Sequence, residues 1–211
     1  MAKRFGMTLV ILLAISVASS AEEPLASASA YVRRGMQRFQ ANLIAESLED
    51  FDQAARLQPA LSPSLWQRGI SLYYVGNFLA GRQQFESHQT VNPHDVENAT
   101  WHFICVARDL GLEQARDALI PIETQRDSRV PMAEVYQFYA GHGSSEAILA
   151  AARQAATEQA SMYAHLYLGL YYEAAGEADL AKHHMRLSAA AKLQDNYMHD
   201  VAKVHLLQRA W

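Results

Sequence analysis

LWQRGISLYYVG, at residues 65–76, repeats the pattern of YVRRGMQRFQAN, at residues 31–42, after an interval of about 34 residues. An interval of this length is typical of helix–turn–helix repeats. Because one such hairpin cannot bury its apolar face alone, neighbouring hairpins must stack on each other. The chain is therefore predicted to be all-α. The matched residues are Gly35 and Gly69, Phe51 and Phe85, and Pro59 and Pro93.

Glycine and asparagine mark two kinds of position in these units. Gly35 and Gly69 supply a small residue where two helices approach closely. Asn42 and Gly76 tolerate the positive φ that ends a helix. The two aligned phenylalanines are expected to fill the space between hairpins, where truncation to alanine would cost about 3–5 kcal/mol.

A further unit with the same pattern occurs near the C-terminus, where Gly169 takes the role of Gly69. The two glycines are not separated by a multiple of the repeat interval, so the units between them have diverged. Helices are still expected there, together with a terminal helix that covers the last open face. The predicted middle helices are 96–110, 112–120, 132–140 and 145–157. The predicted organisation is a signal peptide at 1–21, a short segment at 22–27, repeats at 28–61, 62–95, about 96–160 (degenerate) and 162–195, and a capping helix at 196–211.

The first residues have the pattern of a cleavable secretory signal. Lys3 and Arg4 precede an apolar run at 7–18, and small residues follow up to Ala21. The run is shorter than the roughly 20 residues that span a bilayer. Retention as an N-terminal anchor is the alternative. The protein is therefore predicted to be periplasmic or secreted, with no stable insertion in the membrane.

Charge and cysteine content limit the functions further. Cleavage after Ala21 would leave 16 of the 18 basic residues against 22 acidic ones, a net charge near -6. This balance disfavours a nucleic-acid partner, whose phosphates would repel the protein. Cys105 is the only cysteine, so an internal disulfide is excluded and packing must stabilise the fold. Its apolar neighbours predict a buried, inert thiol.

Four stretches carry a family resemblance: LWQRGISLYYVG (65–76), NPHDVENATW (92–101), VYQFYAG (135–141) and YLGLYYEAAGEADLAKHHM (167–185). The units resemble tetratricopeptide repeats, and the region 65–207 resembles the NlpI-type periplasmic adaptor lipoproteins. The resemblance implies a right-handed superhelical solenoid of tetratricopeptide-type hairpins with a C-terminal capping helix. It also implies a non-enzymatic adaptor, without a cofactor, that presents envelope proteases or cell-wall hydrolases to their partners.

This sequence departs from that family in two respects. It lacks the lipid-attachment cysteine, and it lacks an N-terminal helical segment and first repeat that the family uses in dimerisation. Membrane tethering is therefore not carried over, and a homodimer is left open.

The resemblance also points to a concave face lined by the first helix of each unit. Large amphipathic rings at a recessed surface can anchor a partner, so Trp66, Tyr73 and Tyr74 are expected near the contact centre. Aromatic residues at helical spacing also build cores, and packing is the alternative reading of each. The same reservation applies more strongly to Trp101, Tyr136 and Tyr139 in the diverged units. The predicted protein-binding residues are Met36, Phe39, Trp66, Ile70, Tyr73 and Tyr74, with Val32 and Gln40 on the same face.

A carboxylate clamp is disfavoured on that face. Chaperone-binding members of the broader repeat family use Lys and Asn to hold a terminal carboxylate. The matching positions here are Val32, Met36, Trp66 and Ile70. An apolar or aromatic peptide surface is the better expectation.

Metal binding is one alternative to protein binding. His102 and Cys105 are three residues apart, and His183 is adjacent to His184. Zinc needs four protein ligands, or three and a water molecule, and neither arrangement is complete. Scattered surface histidines are the simpler interpretation.

Hydrolysis is a second alternative, because GHGSSE at 141–146 places His142 close to serine. A helix start capped by Ser144 or Ser145 explains this loop better, since a nucleophile elbow needs a sheet. A third alternative is a structural module that self-associates through open solenoid ends. The sequence as a whole favours an exported, non-enzymatic scaffold that binds other proteins or peptides.

Overall fold

A computed structural model describes residues 26–211, and the predicted signal peptide lies outside them. The described part is all-helical, as predicted, and contains no strand. None of its helices is both long and apolar enough to cross a membrane. The α-helices are α1 (Ala28–Gln40), α2 (Ile44–Leu57), α3 (Trp66–Tyr74), α4 (Phe78–His88), α5 (Val96–Leu110), α6 (Leu112–Asp117), α7 (Met132–Tyr139), α8 (Ser145–Ala155), α9 (Glu158–Ala174), α10 (Ala178–Ala189) and α11 (Tyr197–Arg209), with 3-10 helices at Pro59–Ser64 and Thr124–Arg126.

Local capping signals set the bounds of α5. Asp95 is its N-cap, and the side chain accepts a hydrogen bond from the N–H of Glu97 at 3.1 Å. Gly111 ends the helix with a φ of 102°, a conformation that glycine adopts without steric cost. The helix therefore has the bounds that the sequence predicts.

The other middle helices are present but end one to three residues earlier than predicted. In the loop before α8, Ser144 is the N-cap and its hydroxyl accepts from the N–H of Ala147 at 3.2 Å. The interpretation of this loop as a helix start is confirmed. At the two predicted helix ends, Asn42 and Gly76 have positive φ values of 63° and 79°.

The first two hairpins interlock in the same way. A Cβ on Gly35 would lie 3.0 Å from the ring of Phe51, and one on Gly69 would lie 2.6 Å from the ring of Phe85. Both rings are buried, as predicted. A close approach of ring to helix backbone thus requires glycine at both positions. Near the C-terminus, a Cβ on Gly169 would similarly lie 3.0 Å from a methionine side chain of α10.

A polar pair repeats with the same interval as the glycines. In the first hairpin Arg34 donates to Asp50 at 2.6 Å. In the second, Arg68 donates to Gln84 at 3.1 Å. Both acceptor side chains are buried, so each requires a partner inside the hairpin.

The helices pack mainly against their neighbours in sequence, and α5 and α9 form the centre of the core. Every residue of α5 from Asn98 to Ala107 is buried. The terminal helix α11 packs on α9 and α10, and it also contacts α1. The last helix therefore returns to the first one and closes the array.

Candidate functional site

The residues predicted to bind a partner do not form an open face. Most of them are buried and pack against other residues of the protein, which is the alternative given for aromatic residues at helical spacing. Partner binding by these side chains stays a prediction, and the buried ones could touch a partner only if the covering helix moved. Phe39, Ile70, Tyr73 and Tyr74 are buried, whereas Met36, Trp66 and Val32 are partly buried and Gln40 is exposed.

The covering helix is α11. Its first residue, Tyr197, stacks on Phe39 with ring centroids 5.2 Å apart and meets Trp66 edge-on at 5.1 Å. Further along, His205 lies edge-on to Tyr74 at 5.8 Å. Tyr197 and His205 of α11 thus lie against aromatic side chains of both α1 and α3, in the position that a separate peptide helix takes in helix-in-groove recognition.

The largely buried carboxylate of Glu173, 9% exposed, joins this helix to the rest of the protein. Glu173 of α9 accepts hydrogen bonds from the hydroxyl of Tyr73 and from Nε of Arg209, and it lies 3.2 Å from Arg108. These partners come from α3, α11 and α5. One carboxylate therefore connects four helices that are far apart in sequence.

The charges around Glu173 shift the neighbouring pKa values. Burial opposes its ionisation, but interactions with His205 and Arg209 lower the pKa of Glu173 below its ordinary value. Burial lowers the pKa of His205 to about 4, which Glu173 opposes and the arginines Arg209 and Arg108 reinforce. His205 is therefore neutral in the folded protein at pH 7. Its Nδ1 lies 3.0 Å from the hydroxyl of Tyr74.

Two side-chain hydrogen bonds fix the outer edge of α11. Gln40 of α1 donates to Asp200 at 2.9 Å, and Gln208 donates to Asn42 at 2.7 Å. The first is exposed and the second is partly buried. Each contributes on the order of 1 kcal/mol, so α11 is held chiefly by its aromatic and charged contacts.

Beside this covered groove lies a cavity of 240 Å³, which we call the central cavity. Its apolar walls are Trp66, Phe85, Trp101 and Met198, contributed by α3, α4, α5 and α11. The rings of Phe85 and Trp101 are stacked with centroids 6.3 Å apart. The cavity is thus formed where the second hairpin, the core helix and the terminal helix meet.

Three buried polar atoms on residues lining the central cavity have no hydrogen-bond partner in the described part of the chain: Oδ1 of Asn98, Nε2 of His88 and Nε1 of Trp101. The amide nitrogen of Asn98 donates to two acceptors at 3.1 Å, which fixes its Oδ1 as an acceptor. His88 lies with Nδ1 2.8 Å from the carbonyl of Pro63. Its Nε2 lies 4.0 Å from Oδ2 of Asp95, beyond hydrogen-bond distance.

Charged groups form the remaining wall. Arg129 donates to Asp95, to Glu97 at 2.6 Å and to Asp127 at 2.6 Å. Glu97 also accepts from the hydroxyl of Tyr167 at 2.8 Å. Burial raises the pKa of Glu97 to about 7. Burial opposes ionisation of Asp127 as well, but there the bonds and charge of Arg129 lower the pKa.

The cluster around Arg129 is therefore electronegative. One guanidinium faces three carboxylates, of which Glu97 is the least acidic. A larger hollow of 480 Å³ lies between α8 and α9, but none of the partnerless polar atoms found in residues 26–211 belongs to its lining. The central cavity is the better candidate for a ligand.

The residues considered for metal binding do not assemble a site. His102 lies 3.3 Å from Glu86, and Cys105 is buried with the pKa of its thiol raised by burial. His184 pairs with His165 at 2.9 Å. Within residues 26–211, no group of three or more His, Cys, Asp or Glu side chains is arranged to hold a metal ion.

The central cavity was not predicted from the sequence. Asn98 and Trp101 are three apart on one helix face, which was the available local signal. Arg129 and Met198 reach the same place from distant parts of the chain, and no spacing rule connects them. The structure defines the class of protein as an all-α array closed by its terminal helix, with an aromatic and acidic cavity. A comparison with models of known protein families finds no match for the chain.

Proposed function

We propose that this protein is an exported scaffold, without catalytic activity, that binds other proteins or peptides. Its helices would form a right-handed superhelical array of tetratricopeptide-type hairpins. The Gly–Phe interlock recurs at the repeat interval, and so does the hydrogen bond from an arginine to a buried acceptor; both recurrences support this architecture. The apolar run before Ala21 supports export. Envelope proteases or cell-wall hydrolases are the partners that the sequence resemblance implies.

The central cavity is the observation that carries the binding function. It combines aromatic walls with buried polar atoms that find no partner among the described residues. Such atoms are costly unless a ligand or solvent satisfies them. Among the apolar residues that line the cavity, Trp66 is partly buried whereas Phe85, Trp101 and Met198 are buried. We therefore assign the centre of the partner contact to Trp66 rather than to the buried tyrosines.

Capture followed by reconstitution tests this proposal. Residues 22–211 are immobilised, proteins of the native envelope are captured and identified, and each candidate is then purified and titrated against the protein by calorimetry. At least one candidate should bind directly, and Trp66→Ala should weaken that binding at least about tenfold, the effect expected of a central aromatic anchor.

The matched control is Leu79→Ala, because Leu79 is 58% exposed and lies away from the cavity lining. It should leave the affinity within about twofold of wild type. Circular dichroism must show the same helix content in all three proteins. The proposal fails if no captured protein binds in the purified pair, or if folded Trp66→Ala binds as tightly as wild type.

A further inference from the structure

The polar atoms without a partner on residues of the central cavity indicate which hydrogen-bonding groups a ligand should carry. Asn98 offers an acceptor, so a ligand should bring an N–H or O–H donor to it, whereas Nε2 of His88 faces the carboxylate of Asp95 at 4.0 Å. Trp101 offers one N–H donor, which calls for an oxygen acceptor nearby. These three side chains are at most 5% exposed, so the requirement belongs to the interior of the cavity and not to its mouth.

The charged groups that line the cavity determine which sign of charge on a ligand is favoured. Asp95 and Glu97 line it together with Arg129, and Arg129 also pairs with Asp127. With all three carboxylates ionised, one positive charge faces three negative ones. A cation is therefore favoured over an anion at this wall.

The apolar walls reinforce the same choice. Trp66, Trp101 and Phe85 present aromatic rings, and tryptophan attracts a cation most strongly. The volume of 240 Å³ is enough for a group of side-chain size but not for a folded segment. Met198 supplies a flexible apolar contact for an alkyl stem.

We propose that the central cavity binds a primary ammonium or guanidinium group on an apolar stem, with a carbonyl or hydroxyl oxygen of the same ligand accepting from Trp101. A lysine or arginine side chain of a partner would supply this chemistry, and so would a free amine. The choice of a partner's side chain as the source rests on the proposed function, whereas the binding of the cation does not.

Small probes test the chemistry directly. Residues 22–211 are titrated at pH 8 with n-butylammonium and agmatine, and with n-butanol and butyrate as neutral and anionic controls, using calorimetry and tryptophan fluorescence. Both cations should bind saturably with 1:1 stoichiometry and a Kd on the order of 1 mM or tighter. Equal binding of butyrate, or no saturable binding of either cation, would overturn the proposal.

Two variants separate the cavity from the general charge of the protein. Asp95→Asn keeps a good N-cap for α5 but removes one carboxylate, and it should weaken cation binding at least about fivefold. Asp109→Asn removes the same charge from an exposed position at the other end of α5 and should change the Kd less than twofold. Equal effects of the two substitutions on the Kd would show that the net charge of the protein attracts the cation nonspecifically, and this would refute binding in the cavity.

A third variant remains informative if Asp95→Asn does not fold. Trp101→Phe keeps an aromatic ring but removes the N–H. This change should weaken the binding of the lysine derivative Nα-acetyl-lysine-N-methylamide, which carries carbonyl oxygens, more than it weakens the binding of n-butylammonium. An equal effect on both probes would contradict the role of Trp101 as a donor to the ligand.

The probes also distinguish the two possible sources of the cationic group, a partner's side chain and a free amine. Tighter binding of the lysine derivative than of agmatine indicates a partner's side chain, and the reverse order indicates a free amine. Cation binding without any reconstituted protein partner would leave the cavity assignment standing and remove the scaffold function. A protein partner without cation binding would do the opposite.

Discussion

Glu173→Gln tests whether one largely buried carboxylate holds the terminal helix in place. Glutamine has nearly the same size and can still accept from Tyr73, but it carries no charge. Arg209 and Arg108 would then lose their shared counter-ion, while their side chains keep only 23% and 30% exposure. The change therefore isolates the charge from the packing of α11.

The expected loss of stability follows from that exposure. Removing one partner of a fully buried ion pair costs about 3–5 kcal/mol. Water reaches both arginines in part, so we expect about 2–3 kcal/mol here. For a domain of this size each kcal/mol shifts Tm by about 2–4 °C. The melting temperature should therefore fall by about 4–12 °C.

Thermal unfolding followed by circular dichroism at pH 7 measures this shift, with Glu177→Gln as the matched control. Glu177 is an exposed glutamate four residues further on that gives no side-chain cap to α10, so its replacement should change Tm by less than about 2 °C. Hydrogen exchange should also accelerate in α11 more than in α2. The reasoning is refuted if the two variants melt together or if exchange in α11 does not change.

Three further predictions concern the hairpins, the terminal helix and the core thiol. Gly69→Ala should lower the free energy of unfolding, measured in urea, by about 1–2 kcal/mol, and Gly35→Ala should lower it by less. The reason is that a Cβ at Gly69 lies 2.6 Å from Phe85, whereas one at Gly35 lies 3.0 Å from Phe51. Equal losses in the two variants would contradict the closer approach at Gly69. Because burial lowers the pKa of His205 from 6.5 to about 4, wild type should lose up to about 3 kcal/mol relative to His205→Gln as the pH falls from 6.5 to 4. Urea titrations across that range check the sign, and a pH-independent difference would count against the neutral ring. The thiol of Cys105 should resist a disulfide reagent in the native protein and react in urea, because burial raises its pKa; rapid native labelling would place it at the surface.

The comparison with His205→Gln matters because other groups titrate in the same range. The pKa of Glu97 is raised from 4.5 to about 7, so its contribution to stability has the opposite sign and increases as the pH falls from 7 to 4.5. The two effects oppose each other in wild type alone. Both proteins retain Glu97, so its contribution cancels in their difference.

The sequence alone determined the features that arise from neighbouring residues. Asp95 and Gly111 mark the ends of α5, since a cap and a positive φ act within one helical turn. The repeat interval predicted that Phe51 and Phe85 are buried and that Gly35 and Gly69 lie where two helices approach closely, and both features are present. The rings were expected between hairpins, but each packs on the glycine of its own hairpin. Local periodicity was therefore sufficient for the helices and for the burial of these rings, but not for the surface that each ring contacts.

Only the tertiary structure decided what lies against the predicted binding face. Tyr73 meets Glu173 across 100 residues, and Asn42 meets Gln208 across 166. Such contacts depend on how each helix packs on its neighbours, and the diverged units in the middle of the chain have no register that the sequence defines. The return of α11 to α1 and the central cavity both result from the packing of residues far apart in sequence, so no local motif predicted them.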